Sequence, residues 1–496
     1  MIFTNIFQHI KEQRKNIYFR FWANCILVKG YRNGVVFDLQ RARTIKVSKL
    51  FYETFEQNKN MSINVLYNEH TFPNKKGYFK MLDYFVKNDF GILTDDIESL
   101  PELSMEYDSP FYITNVILEV NTDTNPEHLF NVIKKVADGH IQAIQINDYG
   151  HISIKQLKQI CELTKHSPLE CINIYTFYKH SFSKKQLAFL YSNSRFRNIT
   201  FMGAPRNRSF ENYECGMTVI RYINKVIDYK DCGNIGKDNF LLNQSFFIES
   251  HNFNSCLNRK VCIDKNGLIK NCPLMRVSYG NINDCSFKDI SKLPEFTNLW
   301  QITKDSIEVC RDCEYRYICQ DCRYYKKDIN NILSQPFKCT YNPYIGKWKG
   351  ENGYVPVEEC GKYSTEKGFE PDKIIIENII SKLEYDDFDL CCSFWLKQAE
   401  VCLEKEAYYE AFYIYDTMGD ALMERNDPAY LLVLVEVQIK IAEIAFIDGG
   451  KDAGMHRMNY ALAQIEEMKN FPLNDEAAEI MEQLWYRCQE IIRKYS

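Results

Sequence analysis

Between residues 112 and 204 the apolar and polar positions change period at regular intervals. "YITNVILEV", "IQAIQIN", "CINIYTF" and "NITFMGA" are short runs rich in β-branched residues. Between them "NPEHLFNVIKKVADG", "ISIKQLKQICELTKH" and "SKKQLAFLYSN" carry apolar residues at helical spacing, the first with Pro126 near its opening turn. Strand and helix alternating about every 25 to 35 residues predict a parallel sheet with crossover helices over residues 111–245, as an open α/β sheet or a partial barrel. Ligands of such a sheet sit at the carboxyl ends of its strands, here near Asn147, Phe177 and Gly203.

Upstream, "NIYFRFWANCILVKG" and "GVVFDL" read as strands, with "YRNG" turning the chain at Asn33 and Gly34. "SKLFYETFEQN" and "GYFKMLDYFVKNDFG" have helical periodicity, the second with Gly91 as its expected C-cap, and "GILT" resumes extended chain. Residues 1–110 therefore predict a small winged-helix-like domain. Downstream, "KGENGYVPVEECGKYSTEKGFEP" reads as a linker. Residues 371–496 then repeat apolar and small positions at helix spacing, which predicts a helical bundle or a small repeat-like solenoid. Cys391, Cys392 and Cys402 lie on those helices and are expected to be packing thiols.

Composition narrows the class. The 496 residues are 45% apolar and 26% charged, enough for about three domains and unlike a disordered chain. A formal net charge of -5 gives no overall pull toward nucleic acid. Residues 1–50 nevertheless carry ten Lys or Arg against Glu12 and Asp38, a basic face suited to an acidic partner. The longest apolar tract, "YLLVLVEVQIKIAEIAFI", is interrupted by Glu436, Lys440 and Glu443 and is not expected to cross a membrane. Residues 1–30 lack the pattern of a secretory signal, so a cytoplasmic, thiol-reducing location is expected.

The candidate chemistry lies in a cysteine field: C256-x5-C262-x4-G267-x4-C272, then C310-x2-C313-x5-C319-x2-C322, then C339, with Cys285 outside the pattern. A Cys-x-x-Cys pair lets two thiolates of one tight turn reach a single soft metal or iron–sulfur cluster, and eight thiols allow two centres. No histidine stands between His251 and Cys339. The readings are therefore two all-cysteine [4Fe-4S] sites or one or two structural zincs. "KVCIDKNGLIKNCP" predicts a hairpin whose turn at Lys265, Asn266 and Gly267 returns Cys262 and Cys272 to the same end. Arg311, Arg316 and Arg323 are placed to offset thiolate charge, and Tyr315, Tyr317, Tyr324 and Tyr325 to exclude water.

This spacing, together with "FKCTYNPYIGKW" at Phe337 to Trp348, resembles the SPASM domain, the twin-cluster module C-terminal to the radical-SAM barrel in many peptide-modifying enzymes. The larger resemblance is to the grasp-with-SPASM peptide maturases encoded beside ATP-grasp peptide ligases. It implies an α/β fold with a degenerate radical-SAM-like partial barrel, a PqqD-like peptide-recognition domain over residues 1–110, a SPASM iron–sulfur domain over 246–355, and an extra TPR-like helical domain. It also implies that Cys256, Cys262, Cys272 and Cys322 hold a first [4Fe-4S] cluster and Cys310, Cys313, Cys319 and Cys339 a second. In one respect the chain departs from the family pattern. Only Gln320 and Asp321 separate the last two cysteines of the quartet, where the family has three residues.

A radical-SAM enzyme needs C-x3-C-x2-C after its first barrel strand, so that three thiolates leave one iron open to S-adenosylmethionine. Here "YITNVILEV" is followed by "NTDTNPEHLF", and the motif occurs nowhere in the chain. Cys161, Cys171, Cys215 and Cys232 are too dispersed to replace it by spacing. No G-x-G-x-x-G or Walker loop occurs either. SAM cleavage is not expected, and no catalytic residue is assigned. Three functions fit: an accessory maturation protein that binds a ribosomally made precursor, through its leader, and cooperates with an ATP-grasp ligase; an iron–sulfur redox enzyme acting on that peptide; or a zinc scaffold for protein interaction. Homo-oligomerisation is compatible with each.

Overall fold

The computed structural model describes residues 17–121, 126–180, 183–212, 218–364, 367–425, 428–448, 450–469 and 475–495. Arg14, Lys15 and Cys215 lie outside them. The chain divides into two compact units, Met1–Ile376 and Glu377–Ser496.

The first unit opens with β1 (Tyr18–Phe21), β2 (Cys25–Lys29), β3 (Asn33–Asp38) and β4 (Arg43–Ser48), then α1 (Lys49–Asn58), α2 (Ile63–Glu69), α3 (Lys75–Lys87) and β5 (Gly91–Thr94). β1 pairs antiparallel with β5, and β2, β3 and β4 form an antiparallel sheet in that order. α1 begins where Ser48 accepts a hydrogen bond from the Phe51 N–H at 3.1 Å. α3 ends at Asn88, and Gly91 instead starts β5, where an added Cβ would stand 2.5 Å from the Arg20 carbonyl. "GVVFDL" is the middle strand and presents no free edge. Val36 packs into one core with Phe51, Phe55 and Phe85, while Val35 and Phe37 pack into another with Phe247, Tyr317 and Ile318. The edges of this sheet are β2 and β4.

The predicted alternation forms an eight-stranded sheet. Its strands are β6 (Asn115–Val120), β7 (Ala143–Asp148), β8 (Cys171–Phe177), β9 (Phe196–Met202), β10 (Arg208–Asn212), β11 (Thr218–Tyr222), β12 (Lys260–Ile263) and β13 (Ile269–Lys270), in the order β10-β11-β9-β8-β7-β6-β12-β13. The six inner strands are parallel, and antiparallel β10 and β13 close the two edges. Crossover helices α4 (Pro126–Asp138), α5 (Ile154–Thr164) and α6 (Lys184–Ser192) lie between strands in sequence, and α7 (Gln244–Asn252), α8 (Phe287–Ile290) and α9 (Pro294–Thr297) follow. Period-2 alternation sorts the two faces. Ile144, Ile146, Ile172 and Ile174 are fully buried with α4 and α5 side chains such as Ile133 and Ile160. Their neighbours Gln145, Asn147, Asn173 and Tyr175 project from the other face and are only half-buried. Parallel sheets are usually apolar on both faces, so this one reserves a polar face. The cysteine hairpin extends the same sheet: Cys262 pairs in register with Ile117 of β6 and with Lys270 of β13.

The stretch read as a linker contains an antiparallel hairpin. After β14 (Tyr341–Asn342) and β15 (Lys347–Trp348), β16 (Gly361–Ser364) pairs with β17 (Gly368–Pro371), and Cys360 and Phe369 beside it are fully buried. The second unit is helical: α10 (Lys373–Glu404), which starts just before the division, α11 (Tyr408–Arg425), α12 (Leu431–Ile447), α13 (Lys451–Met468) and α14 (Asp475–Tyr495). α12 is the apolar tract because it is covered on two sides. Leu434, Val437 and Ile441 join Ala411, Tyr415 and Met418, whereas Val435, Ile439 and Ala442 join Met458, Ala461 and Cys488. Among the described residues, no helix is long and apolar enough to cross a membrane.

A buried carboxylate ties the first sheet together at its end. Asp38 accepts from Asn24 Nδ2 at 2.9 Å, from Arg43 Nη2 at 2.8 Å and from the Arg41 backbone N–H at 3.0 Å. Burial alone would raise its pKa, but the hydrogen bonds from Arg43 and Arg41 win and hold it below the usual carboxylate range. A depressed folded-state pKa means that this stabilisation is present above the unfolded value and is lost as pH falls through the folded one. Asp38→Asn should therefore destabilise the N-terminal region by about 2 kcal/mol at neutral pH, and progressively less as pH falls below the unfolded carboxylate range and through the folded-state pKa. Hydrogen exchange over residues 18–48 reads this directly. Equal protection in both proteins at neutral pH refutes the role given to Asp38.

Candidate metal centres and the cavity beside them

The quartet loop folds around its thiols through tight local turns. Val309 adopts φ 64°, costly for a β-branched residue by about 1–3 kcal/mol, and leads into a 3-10 turn at Cys310–Asp312 in which the Cys313 N–H reaches the Cys310 carbonyl at 3.0 Å. Further on, Cys339 is turned back by its N–H bond to the Pro336 carbonyl at 3.1 Å. Cys310, Cys313, Cys319 and Cys339 consequently line one cavity, together with Lys304, Arg316, Gln335 and Tyr341. The four thiols stand around a space instead of meeting at a point. Among the described residues, no three His, Cys, Asp or Glu side chains are drawn together closely enough for a single metal ion.

The electrostatics of this cavity are those of a thiolate site. Burial pushes the Cys310 and Cys319 thiols up to about 11, with Lys304 pulling the other way. Lys304 is itself buried, 4% exposed, with its ammonium 3.6 Å from Cys319 Sγ and 3.1 Å from the Gln320 carbonyl. Burial would lower its pKa, yet Cys319, Cys310, Asp321 and Cys339 raise it above its ordinary value. Backbone N–H groups also point at sulfur, from Tyr315 to Cys313 and from Tyr325 to Cys322, both at 3.4 Å. The buried Gln335 Oε1 at the cavity wall has no hydrogen-bond partner among the described residues. Four thiols, a buried cation and N–H donors aimed at sulfur suit a guest that binds thiolates, since a bound metal drives their deprotonation against burial.

The first thiol group of the sequence lies on the other side of Asp321, the quartet with Cys339 being the second. This carboxylate, 2% exposed, accepts from Asn254 Nδ2 at 2.7 Å and Arg323 Nη2 at 2.8 Å, with the Lys304 ammonium 3.9 Å away. Asn254 in turn accepts from the Cys256 N–H at 3.1 Å. Burial raises the Cys256 thiol, and neighbouring Cys322 and Cys232 raise it further. Cys272 is pushed to about 11 by burial, with Cys232 and Cys322 adding to the effect. Cys262, fully buried on β12, feels Glu119 and then Cys272. Cys322 and Cys232 thus act electrostatically on both Cys256 and Cys272, and Cys272 acts on Cys262. The hairpin turn that returns Cys272 uses Gly267 at φ 80°.

Beside this group a cavity of about 640 Å³ opens on the polar face of the large sheet. Gln145, Asn147 and Tyr175 come from the strands, Met202 from the end of β9, and Asp228 and Cys232 from the segment after β11. Of the strand-end positions expected to hold ligands, Asn147 lines it, while Phe177 and Gly203 do not.

Of the arginines expected to offset thiolate charge, Arg323 does so at Cys310, whose pKa it lowers against burial. Arg316 donates to the Cys313 carbonyl at 2.9 Å and to Asp305 at 2.8 Å, Arg323 is engaged by Asp321, and Arg311 donates to the Phe369 carbonyl at 3.2 Å. The cation at sulfur is Lys304, which local spacing did not reveal because it precedes Cys319 by 15 residues. Tyr315 stacks on Phe240 and Tyr317 is buried, but Tyr324 is 40% exposed. Cys232 was also missed. It has no Cys-x-x-Cys partner, and its thiol neighbours follow far downstream.

No family model matches this chain, and no curated protein matches it. Four chains of solved structures match; one is SuiB of Streptococcus suis, 12% identical, covering 62% of this chain and 95% of that one with a TM-score of 0.27. So slight a likeness carries no argument.

Lys304→Met keeps the packing of the side-chain stem and removes its charge. Metal retained by the second group against a chelator should fall by about 10–100-fold, with a smaller change at the first group. Unchanged retention at both groups contradicts the role given to Lys304.

Proposed function

We propose that this protein is an accessory iron–sulfur protein of ribosomal-peptide maturation, built as a SPASM-type module on a radical-SAM-like partial barrel that does not cleave S-adenosylmethionine. The observation that carries this reading is the convergence of Cys310, Cys313, Cys319 and Cys339 on one cavity with the buried Lys304 ammonium against Cys319. The Cys256, Cys272 and Cys322 group beside a polar-faced cavity supports it. In this reading the second group holds one [4Fe-4S] cluster. Cys256, Cys262, Cys272 and Cys322 hold another. Such clusters supply electron storage or structural bracing, while the chain's own residues bind and orient the peptide: Gln145, Asn147 and Tyr175 offer amide and phenol groups to its backbone and polar side chains.

The N-terminal domain is the proposed leader-binding element. β4 ends its sheet with alternating exposure and pairs only with β3 among the described residues, so an extended peptide can add to it as a further strand. Arg43, Lys46 and Lys49 give that edge a basic character suited to an acidic leader. The helical unit is the proposed contact for an ATP-grasp ligase or a second copy, with Tyr409 and Tyr413 exposed one turn apart on α11.

Two measurements test the assignment. Anaerobically purified protein should contain iron and acid-labile sulfide in roughly equal amounts, about eight of each per chain, and should release no 5'-deoxyadenosine when reduced with SAM and a precursor peptide. Zinc without sulfide establishes a scaffold, and enzyme-dependent 5'-deoxyadenosine overturns the accessory role. Separately, the full chain titrated with an acidic leader peptide should bind it more weakly as salt rises and lose binding when a proline interrupts β4. Equal binding by the β4 variant moves recognition elsewhere.

A further inference from the structure

The first thiol group has five members for four metal positions. Cys232 was set aside because nothing in its local sequence pairs with it, yet the fold carries it to Cys322. Gly233, at φ 70°, lies so close that an added Cβ would stand 2.8 Å from Cys322 Sγ. The segment is pinned there from the other side by Lys338, whose ammonium donates to the Cys232 carbonyl at 2.6 Å and lies 4.6 Å from the centre of the Tyr325 ring. Cys232 also shares a cavity wall with Pro273 and Leu274, the two residues that follow Cys272. The thiols of Cys256, Cys272 and Cys322 all lie within its electrostatic reach.

Cys262 approaches the same place from the sheet. Its strand neighbours Val261 and Ile263 point into the helix-covered core, so Cys262 projects to the opposite, polar face, where its partner in register, Ile117, lines the same cavity as Cys232. The two thiols differ in setting. Cys262 is fully buried and fixed by β12, whereas Cys232 is exposed in the cavity wall on a loop.

We propose that Cys232 and Cys262 compete for one coordination position of the first metal centre, the other three being filled by Cys256, Cys272 and Cys322. When Cys232 is bound, the cavity wall is closed over the metal and Cys262 is a sheet thiol. When Cys262 is bound, Cys232 is released as a free thiol facing whatever occupies the cavity. The exchange involves no electron transfer. One metal–sulfur bond breaks as another forms, and the departing thiolate takes up the proton that the incoming thiol gives up. A peptide that fills the cavity and packs against Cys232 therefore selects one of the two ligand sets.

This inference rests on the metal-binding reading of the first group, and the experiment separates the two. Wild type, Cys232→Ala, Cys262→Ala and the double variant are reconstituted anaerobically and compared for iron content and for the EPR spectrum of the reduced protein. Each single variant should keep the wild-type iron content with an altered first-site signal. Only the double variant, left with three thiols, should lose iron from that site or bind cyanide at an open iron. Loss of first-site iron in either single variant, or a Cys232→Ala spectrum identical to wild type, overturns the competition. Because replacing Cys262 disturbs the sheet, alkylation of wild type gives a second measure that needs no variant. Iodoacetamide should modify Cys232 slowly, at the rate of its release from metal, with iron retained because Cys262 takes its place. Modification as fast as in metal-stripped protein, or iron lost with each alkylation, overturns it equally. A wild type with no metal at this site removes the iron–sulfur reading and the inference together, whereas full wild-type loading with an unaltered Cys232→Ala removes the inference alone.

Discussion

The buried charge of Asp321 is the constraint on which both thiol groups depend. It sits between Cys319, whose sulfur faces Lys304, and Cys322, which acts electrostatically on Cys256 and Cys272, in the two-residue interval that closes the quartet. Its oxygens hold Arg323 and Asn254, and Asn254 fixes the backbone of Cys256. A shift of this carboxylate thus moves a thiol in each group. The charge count around it is also unbalanced. Lys304 and Arg323 bring two buried cations to one buried anion, and an uncompensated buried charge costs several kcal/mol. A thiolate at Cys319, beside the Lys304 ammonium, would supply the missing negative charge, which ties this network to the ionisation of the quartet.

Most of the large sheet was legible because its signals are local. "CINIYTF" is β8 residue for residue, and the polar members of that alternation line the open face while its isoleucines are buried. Crossover helices announced themselves through Pro126 and helical spacing, and the structure adds capping boxes at Ser153 and Ser183. What stayed hidden depends on contacts distant in sequence. "GVVFDL" looks like any apolar strand, and only the packing of Val35 and Phe37 against Phe247 and Tyr317 makes it central, with no edge to offer. The β16–β17 hairpin is two short strands with little alternation, marked mainly by Gly368 at φ 69°. The quartet and the Cys-Gly-Cys hairpin could be read from spacing. Lys304 and Cys232 could not, because their partners are assembled by the fold.

The polar face of a parallel sheet needs an explanation, since burying it would strand amide groups without partners. Here that face is left open to a cavity, where the neutral Gln145, Asn147 and Tyr175 stand across from the charged Lys225, Asp228 and Asp231. Neutral donors and acceptors bind amides and hydroxyls without the desolvation cost of charges. The sheet therefore presents a polar face to a cavity whose wall also carries Cys232.

The N-terminal sheet is seated on the second group through the turn joining β2 to β3. The Tyr31 N–H reaches the Asp312 carbonyl at 2.7 Å, Arg316 donates to the Lys29 carbonyl at 2.7 Å, and Gly30 lies against Glu314, where an added Cβ would stand 2.7 Å from its carboxylate. Glu314 is fully buried beside Cys313, its pKa raised by burial, and accepts from the Tyr341 hydroxyl at 2.5 Å. Only a glycine admits this approach, so the turn cannot slide over the loop. The quartet loop and β3 are therefore fixed to each other through this turn, and β3 is paired along its whole length with β4.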